Sequence, residues 1–173
     1  MKKIVLIVAL LVGALSAQGQ SAKAFQDTTA ATQDVAAKYF QQYMAIDWEK
    51  LGPLMHDEIS FEDPTAEMLF GGKRPVGKAN VLKNFREVFV SITNMTPKLT
   101  RTFASGNIAV FEMDLSFSFR NNQNGITTIS MPLVVVLTVK DGKVVKHRDY
   151  GDYREYLSQL RAAQEKAKQK SGQ

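Results

Sequence analysis

The sequence predicts an α+β domain, with helices gathered in the first half and long consecutive strands in the second. Three observations carry that prediction. Apolar side chains recur at three- and four-residue steps through Val35, Tyr39, Tyr43 and Ile46, with Ala36 and Phe40 beside them. Beyond Ile108 the period drops to two, as Phe111, Met113, Leu115, Phe117 and Phe119 alternate with Glu112, Asp114, Ser116 and Ser118. Turn signals then punctuate the chain at Asn121–Gly125, where the Asn124-Gly125 pair is especially favourable, and at Asp141-Gly142.

The elements follow in order. Lys2 and Lys3 precede an apolar run from Ile4 to Leu15 and then small residues, the layout of a secretory signal peptide. That run is too short to span a bilayer, which takes about 20 helical residues. Residues 1–19 therefore read as a leader, cleaved after Ala17 or Gly19. The expectation is export to a periplasmic or secreted location, with no stable membrane insertion after leader removal. Residues 20–29 are small and polar and read as a linker; 30–160 form the domain, and 161–173 a charged tail. Asp47 offers an N-cap to a short helix through Trp48, Leu51 and Leu54, bent or shortened by Pro53. His56 falls in a helix–strand loop and is expected to be exposed. Ile59, Phe61 and Asp63 alternate along a short strand that Pro64 ends, and a loop closes at Gly71-Gly72. Gly77 precedes a helix carrying Val81, Leu82, Phe85, Val88 and Phe89. The strand from Ile126 to Val139 is apolar on both faces and reads as central, although Pro132 demands a bulge there. Val144 to Tyr150 form the last strand, and Tyr156, Leu157 and Leu160 mark a last amphipathic helix.

Composition removes whole classes of function. The chain has no cysteine, so thiolate chemistry, disulfides and cysteine metal sites are excluded and stability rests on apolar burial. The formal charge of +5 is concentrated at the ends: Lys2 and Lys3 belong to the leader, and Arg161, Lys166, Lys168 and Lys170 face only Glu165 in the tail. The body between is close to neutral and carries no nucleic-acid footprint. His147, Asp149 and Asp63 are conceivable metal ligands, but two histidines without HxH or HExxH spacing make that signal weak, and neither metal nor cofactor is expected.

Strand parity points to a pocket. Phe61 and Asp63 share a face. On the last strand Val145, His147 and Asp149 lie opposite Val144, Lys146 and Arg148; lysine and arginine prefer water, which turns His147 and Asp149 inward. The interior then reads as an apolar cup holding Tyr39, Asp63, His147 and Asp149 as candidate catalytic groups, with Tyr43 one turn beyond Tyr39. Phe61, Phe111, Met113, Leu115 and Phe117 are candidate lining. Plainer roles stand beside these. Asp63 before Pro64 is a good turn former, Tyr39 a good core residue, His147 a hydrogen-bonded structural group, and Asp149 a strand-edge partner for Arg148. Glu112 and Asp114 point outward, to solvent or to a second copy.

Three strings, AIDWEKL, ISFEDP…GK…VGKANVLKNF and DGKVVKHRDYGDY, resemble in order and spacing the SnoaL-like families of the nuclear transport factor 2-like superfold. The resemblance covers roughly Thr32 to Leu160. It implies a cone-shaped, curved, mixed or antiparallel sheet wrapped around helices and enclosing one pocket, as in cystatin-like architectures. Similarity to ketosteroid isomerases places Asp63 on their proton-shuttling aspartate and Tyr39 on their oxyanion-donating tyrosine, but puts Val135, which cannot donate, where a second donor stands. Val135 is a lining candidate on that alignment. Similarity to limonene-epoxide hydrolases places Asp149 on an acid–base aspartate within Arg148-Asp149-Tyr150. Their arginine and second aspartate fall on Met113 and Leu115, and their tyrosine and asparagine on Phe61 and Asp63.

The expected function is binding of a small apolar molecule, with isomerase-, cyclase- or dehydratase-type acid–base chemistry. The alternatives are a non-catalytic binding module and a homodimeric interaction domain.

Overall fold

A computed structural model describes residues 2–121 and 125–171. Its scaffold is one five-stranded sheet in the order β1-β5-β4-β3-β2. The strands are β1 (Met55–Glu62), β2 (Ile92–Ser105), β3 (Ile108–Arg120), β4 (Ile126–Lys140) and β5 (Lys143–Gly151). All neighbours are antiparallel except β1 and β5, which run parallel, so the sheet is mixed. Helices α1 (Lys2–Met44), α2 (Trp48–Leu51), α3 (Pro64–Phe70), α4 (Lys78–Val88) and α5 (Tyr153–Ser171) complete the fold. This is the predicted α+β class.

Helix α1 carries the predicted apolar stripe onto the sheet: Ala36, Tyr39, Phe40 and Tyr43 are buried, and Phe40 stacks on Phe111 with centroids 4.2 Å apart. The helix begins earlier than the stripe does. Residues 20–29, expected as a linker, are helical, and within that helix Thr28 and Thr29 turn their hydroxyls back onto carbonyls one turn earlier. Thr29 Oγ1 also accepts the Gly106 N–H across the β2–β3 turn. Ile46 lies beyond the helix end. Its N–H reaches the Tyr43 carbonyl, the Asp47 N–H reaches that of Gln42, and Ile46 adopts a φ of 58°. This is a Schellman termination with a β-branched residue where glycine is usual.

Asp47 caps α2 through the Lys50 N–H, and Pro53 confines the continuation to a single 3-10 turn, Gly52–Leu54. His56 belongs to β1, not to a loop, and is only partly exposed. The segment after Pro64, expected as a loop, is α3. Asp63 is its N-cap and Pro64 its first residue, where a missing N–H is harmless. Gly77, at φ 88°, donates to the Ile59 carbonyl, and the preceding segment covers the free edge of β1.

The long meander is as predicted, with β2 added at its edge. That strand pairs with β3 along nearly its whole length and leaves most side chains in water; as an edge strand it has one backbone side without a strand partner, which allows Pro97 within it. β4 is central, between β3 and β5. Its Pro132 needs no bulge: the Pro132 carbonyl accepts the Asp152 N–H just past the end of β5, so the missing donor faces that gap. The Asp141-Gly142 turn has φ of 52° and 71° at its two central residues, as a tight hairpin requires. The other predicted turn lies partly outside the described residues, where Asn121 N–H closes onto Gly125 O. On β5 the expected parity is corrected by a register shift against Thr138/Val139, which turns Val144 into the core and leaves Val145 half-buried. Past Arg161 the predicted tail continues as helix α5. Gln159 of that helix binds both the N–H and the carbonyl of Ser130, taking the place of β5 where that strand has stopped.

The outward face of the sheet is apolar around Phe103, Val110, Val134 and Val136 and polar toward the Ser116–Ser130 end. Ser116 meets Ser130 and Ser118 meets Thr128 hydroxyl to hydroxyl, and Glu112 lies 3.5 Å from Arg101. Among the described residues no helix is long and apolar enough to cross a membrane.

Candidate functional site

The inward face of the sheet is filled unequally, and that inequality makes the site. Helix α1 packs on β3 at Phe111, where Phe40 stacks, while the Leu115–Phe119 end of β3 borders a cavity instead. There a cavity of about 570 Å³ opens between β1, β3, β4, α3, α4 and α5. Its walls are apolar and aromatic, with Phe61, Phe89, Leu115, Phe117, Tyr153 and Tyr156 among them. Asp63, Asp149 and the Tyr43 hydroxyl bring polarity to the lining.

Asp149 is 5 % exposed and is built into a buried chain of hydrogen bonds. Tyr39 Oη lies 3.1 Å from His147 Nδ1, His147 Nε2 lies 2.8 Å from Asp149 Oδ1, and the Tyr43 hydroxyl donates to Asp149 Oδ2 at 2.7 Å. Counting donors fixes the protons. The Tyr39 hydroxyl has His147 as its partner, so it donates to Nδ1; His147 then carries its proton on Nε2 and donates to the carboxylate. The result is a neutral imidazole between a phenol and an aspartate. Among the described residues, every buried side-chain nitrogen and oxygen has a partner. Burial first, and the Asp149 charge second, push both tyrosines well above the ordinary phenol value, so they remain donors. The His147 ring meets Tyr39, Tyr43, Phe61 and Phe85 edge-on, which fixes its plane.

Asp63 sits at the β1–α3 junction, one residue past the Glu62–Arg148 pair of β1 and β5 and so on the same side as Asp149. Its Oδ1 accepts the Ala66 N–H and the Thr65 hydroxyl at 2.8 Å each, and its Oδ2 accepts the Tyr153 hydroxyl. Burial raises its affinity for a proton; the three hydrogen bonds oppose that without cancelling it, and the Asp149 charge adds to the rise. Tyr153 is raised in turn by burial and by the Asp63 carboxylate. Asp63 is thus both the helix cap that its position before Pro64 suggested and a cavity carboxylate.

The structure brings Phe61, Asp63, Leu115, Phe117 and Asp149 to one cavity. Tyr39 and His147 are fully buried behind Asp149, so the direct oxyanion-donor role expected for Tyr39 is corrected: its hydroxyl is committed to His147. Phe111, Met113 and Val135, expected as lining, pack in the core instead and do not border this cavity, because α1 occupies that end of the sheet. Val135 does adjoin Asp149 across β4–β5, but as a side chain that cannot donate. Arg148 turns away from Asp149 and binds Glu62 at 3.0 Å, alongside Lys146 at 2.9 Å. Sequence reasoning missed Tyr153. Its signal was the aromatic pair Tyr153 and Tyr156 at the start of the last helix, three apart and so on one face.

A mixed sheet with helices around one cavity is the nuclear transport factor 2-like fold. A family model described as the SnoaL-like domain matches residues 36–147, and the chain belongs to that family. Three solved structures illustrate the fold. A candidate SnoaL-like polyketide cyclase from Shewanella denitrificans OS-217 is 18 % identical, with a TM-score of 0.67 over 76 % of this chain and 97 % of that one. An LEH-like epoxide hydrolase from M. tuberculosis is 17 % identical, at 0.61 over 76 % and 90 %. TerC, co-crystallised with polyporic acid, is 16 % identical, at 0.60 over 76 % and 98 %. No curated protein matches the chain.

Proposed function

We propose that the protein binds a small, largely apolar molecule in this cavity and moves a proton on it, in an isomerase-, cyclase- or dehydratase-type reaction. The observation that carries the reading is the convergence of Asp149 and Asp63 on one apolar cavity, each held by tyrosine hydroxyls. Asp149 is the base. His147 and Tyr39 orient its carboxylate from behind and Tyr43 holds its second oxygen, so one geometry faces the ligand. Asp63, next to Asp149 in the β1–β5 register and with its proton affinity raised, supplies or receives the second proton, and Tyr153 is the hydroxyl beside it. The aromatic walls exclude water and strengthen both interactions. The co-crystal of TerC with polyporic acid supports small-molecule occupancy of this fold.

Deuterium uptake tests the chemistry before a product is known. Cyclic ketones and lactones incubated with the protein in D₂O are expected to gain deuterium next to the carbonyl, and Asp149→Asn is expected to lose that exchange. Bound substrates that exchange no faster than in buffer contradict the proton-transfer reading.

A second reading, binding without chemistry, is favoured by one observation: every oxygen of both carboxylates already accepts a hydrogen bond from the protein. Ligand-induced melting shifts with no exchange distinguish it.

The reading includes export, supported by the Lys2-Lys3 and Ile4–Leu15 pattern. N-terminal sequencing of the mature protein from its source is expected to begin at Gln18 or Gln20; an intact Met1 in the cytoplasm overturns it.

A further inference from the structure

We propose that the molecule this cavity takes is a small lipophilic cation, an amine or quaternary ammonium whose nitrogen sits against Asp149 and Asp63. The proposal rests on reading the cavity as a ligand site and specifies the charge of what fills it.

The argument is one of unbalanced charge. The Tyr39–His147–Asp149–Tyr43 chain holds one carboxylate, and the proton assignment above leaves its imidazole neutral, so this buried network contains no cation. Asp63, half-buried, also has no cation among its hydrogen-bond partners, being bonded to two hydroxyls and a backbone N–H. The nearest cations in the sequence, Lys146 and Arg148, are on the other face and engaged by Glu62. Glu67, also on the lining, is matched by Arg74 at 2.8 Å. Among the described lining residues the one cation is Lys73, which is exposed. A desolvated carboxylate without a counter-charge is costly, and a neutral ligand leaves it so. An anionic ligand adds repulsion from Asp149 and Asp63 together.

The walls favour the same partner. Tyr43, Phe61, Phe70, Phe117, Tyr153 and Tyr156 line the cavity with aromatic rings, and such rings attract a desolvated ammonium group. Carboxylates supply charge, and rings accept the alkyl shell of a substituted nitrogen that a lysine-like, strongly hydrated ammonium lacks. The volume of about 570 Å³ leaves room for an apolar body beyond the nitrogen.

Isothermal titration of the protein with benzyltrimethylammonium, with neopentylbenzene as its uncharged isostere, and with phenylacetate separates the possibilities. The cation is expected to bind about tenfold or more tighter than the isostere, with phenylacetate weakest. Asp149→Asn is expected to cut that preference severalfold, Asp63 still being present, and to change neopentylbenzene binding less than binding of the cation, and Leu115→Trp, which fills the cavity, to weaken both. Circular dichroism checks folding; if Asp149→Asn does not fold, Asp63→Asn carries the same comparison. Equal binding of the cation and its isostere, or preference for phenylacetate, overturns the cationic class and leaves the ligand cavity standing. Absence of binding by all three probes overturns both.

Discussion

Removing the hydroxyl of Tyr39 tests the buried network at its least accessible point. In Tyr39→Phe the ring still fills its place, but His147 Nδ1 loses its donor at a position with 0 % exposure, where no water can replace it. An orphaned buried acceptor costs about 1–3 kcal/mol, and the dry setting argues for about 2–3. Tyr43→Phe instead removes a donor from Asp149, which borders the cavity and can recruit water, so the loss is near the lower end for a charged partner, about 1.5 kcal/mol. For a domain of this size these become falls in melting temperature of about 4–12 °C for Tyr39→Phe and about 3–6 °C for Tyr43→Phe. Both tyrosines act through the His147–Asp149 contact, so the double variant is expected to depart from additivity by about 0.5 kcal/mol or more. Thermal and urea melts of the four proteins measure all of this. A Tyr39→Phe protein that melts with the wild type, or strictly additive losses, would refute the proton assignment on which the network rests.

Three further expectations follow from other parts of the molecule. Because burial raises Asp63, the native state keeps its proton at a pH where the unfolded chain has lost it, so this group's contribution to stability falls as pH rises from the ordinary 3.8 through the raised native value. Asp63→Asn, which keeps the cap on Ala66, is expected to flatten that fall in urea midpoints measured from acidic to neutral pH; an unchanged slope contradicts the raised value. Gln159→Ala is expected to speed hydrogen exchange at the Ser130 amide while leaving Met131 and Leu133 protected, and equal exchange would show that α5 does not close β4. Gly142→Ala, at φ 71° with open space around it, is expected to destabilise by about 1 kcal/mol through backbone strain alone, read from the same urea melts.

Periodicity made most of the fold legible. The α1 stripe, the β3 alternation, the apolar β4 and the Asp141-Gly142 turn each carried a strong local pattern. β2 was not legible because an edge strand leaves few side chains to bury, so Ile92–Ser105 shows little alternation. α3 was hidden for a related reason: it buries no residue fully, and Pro64 reads as a strand end as readily as a helix start. For the site, parity placed Asp149 and His147 inward correctly, yet missed the shift that exchanges Val144 for Val145. What parity could not supply was depth. Phe111 and Leu115 share a face, but α1 covers one and leaves the other open to the cavity, a distinction made only by tertiary packing.

The central claim, that the cavity is a ligand site governed by Asp149 and Asp63, is tested most directly by native mass spectrometry of the protein purified from its own source beside its Leu115→Trp variant. The account predicts a small-molecule adduct on the parent, released on denaturation and absent from the cavity-filled variant. An empty parent, or an adduct that survives filling of the cavity, would contradict it.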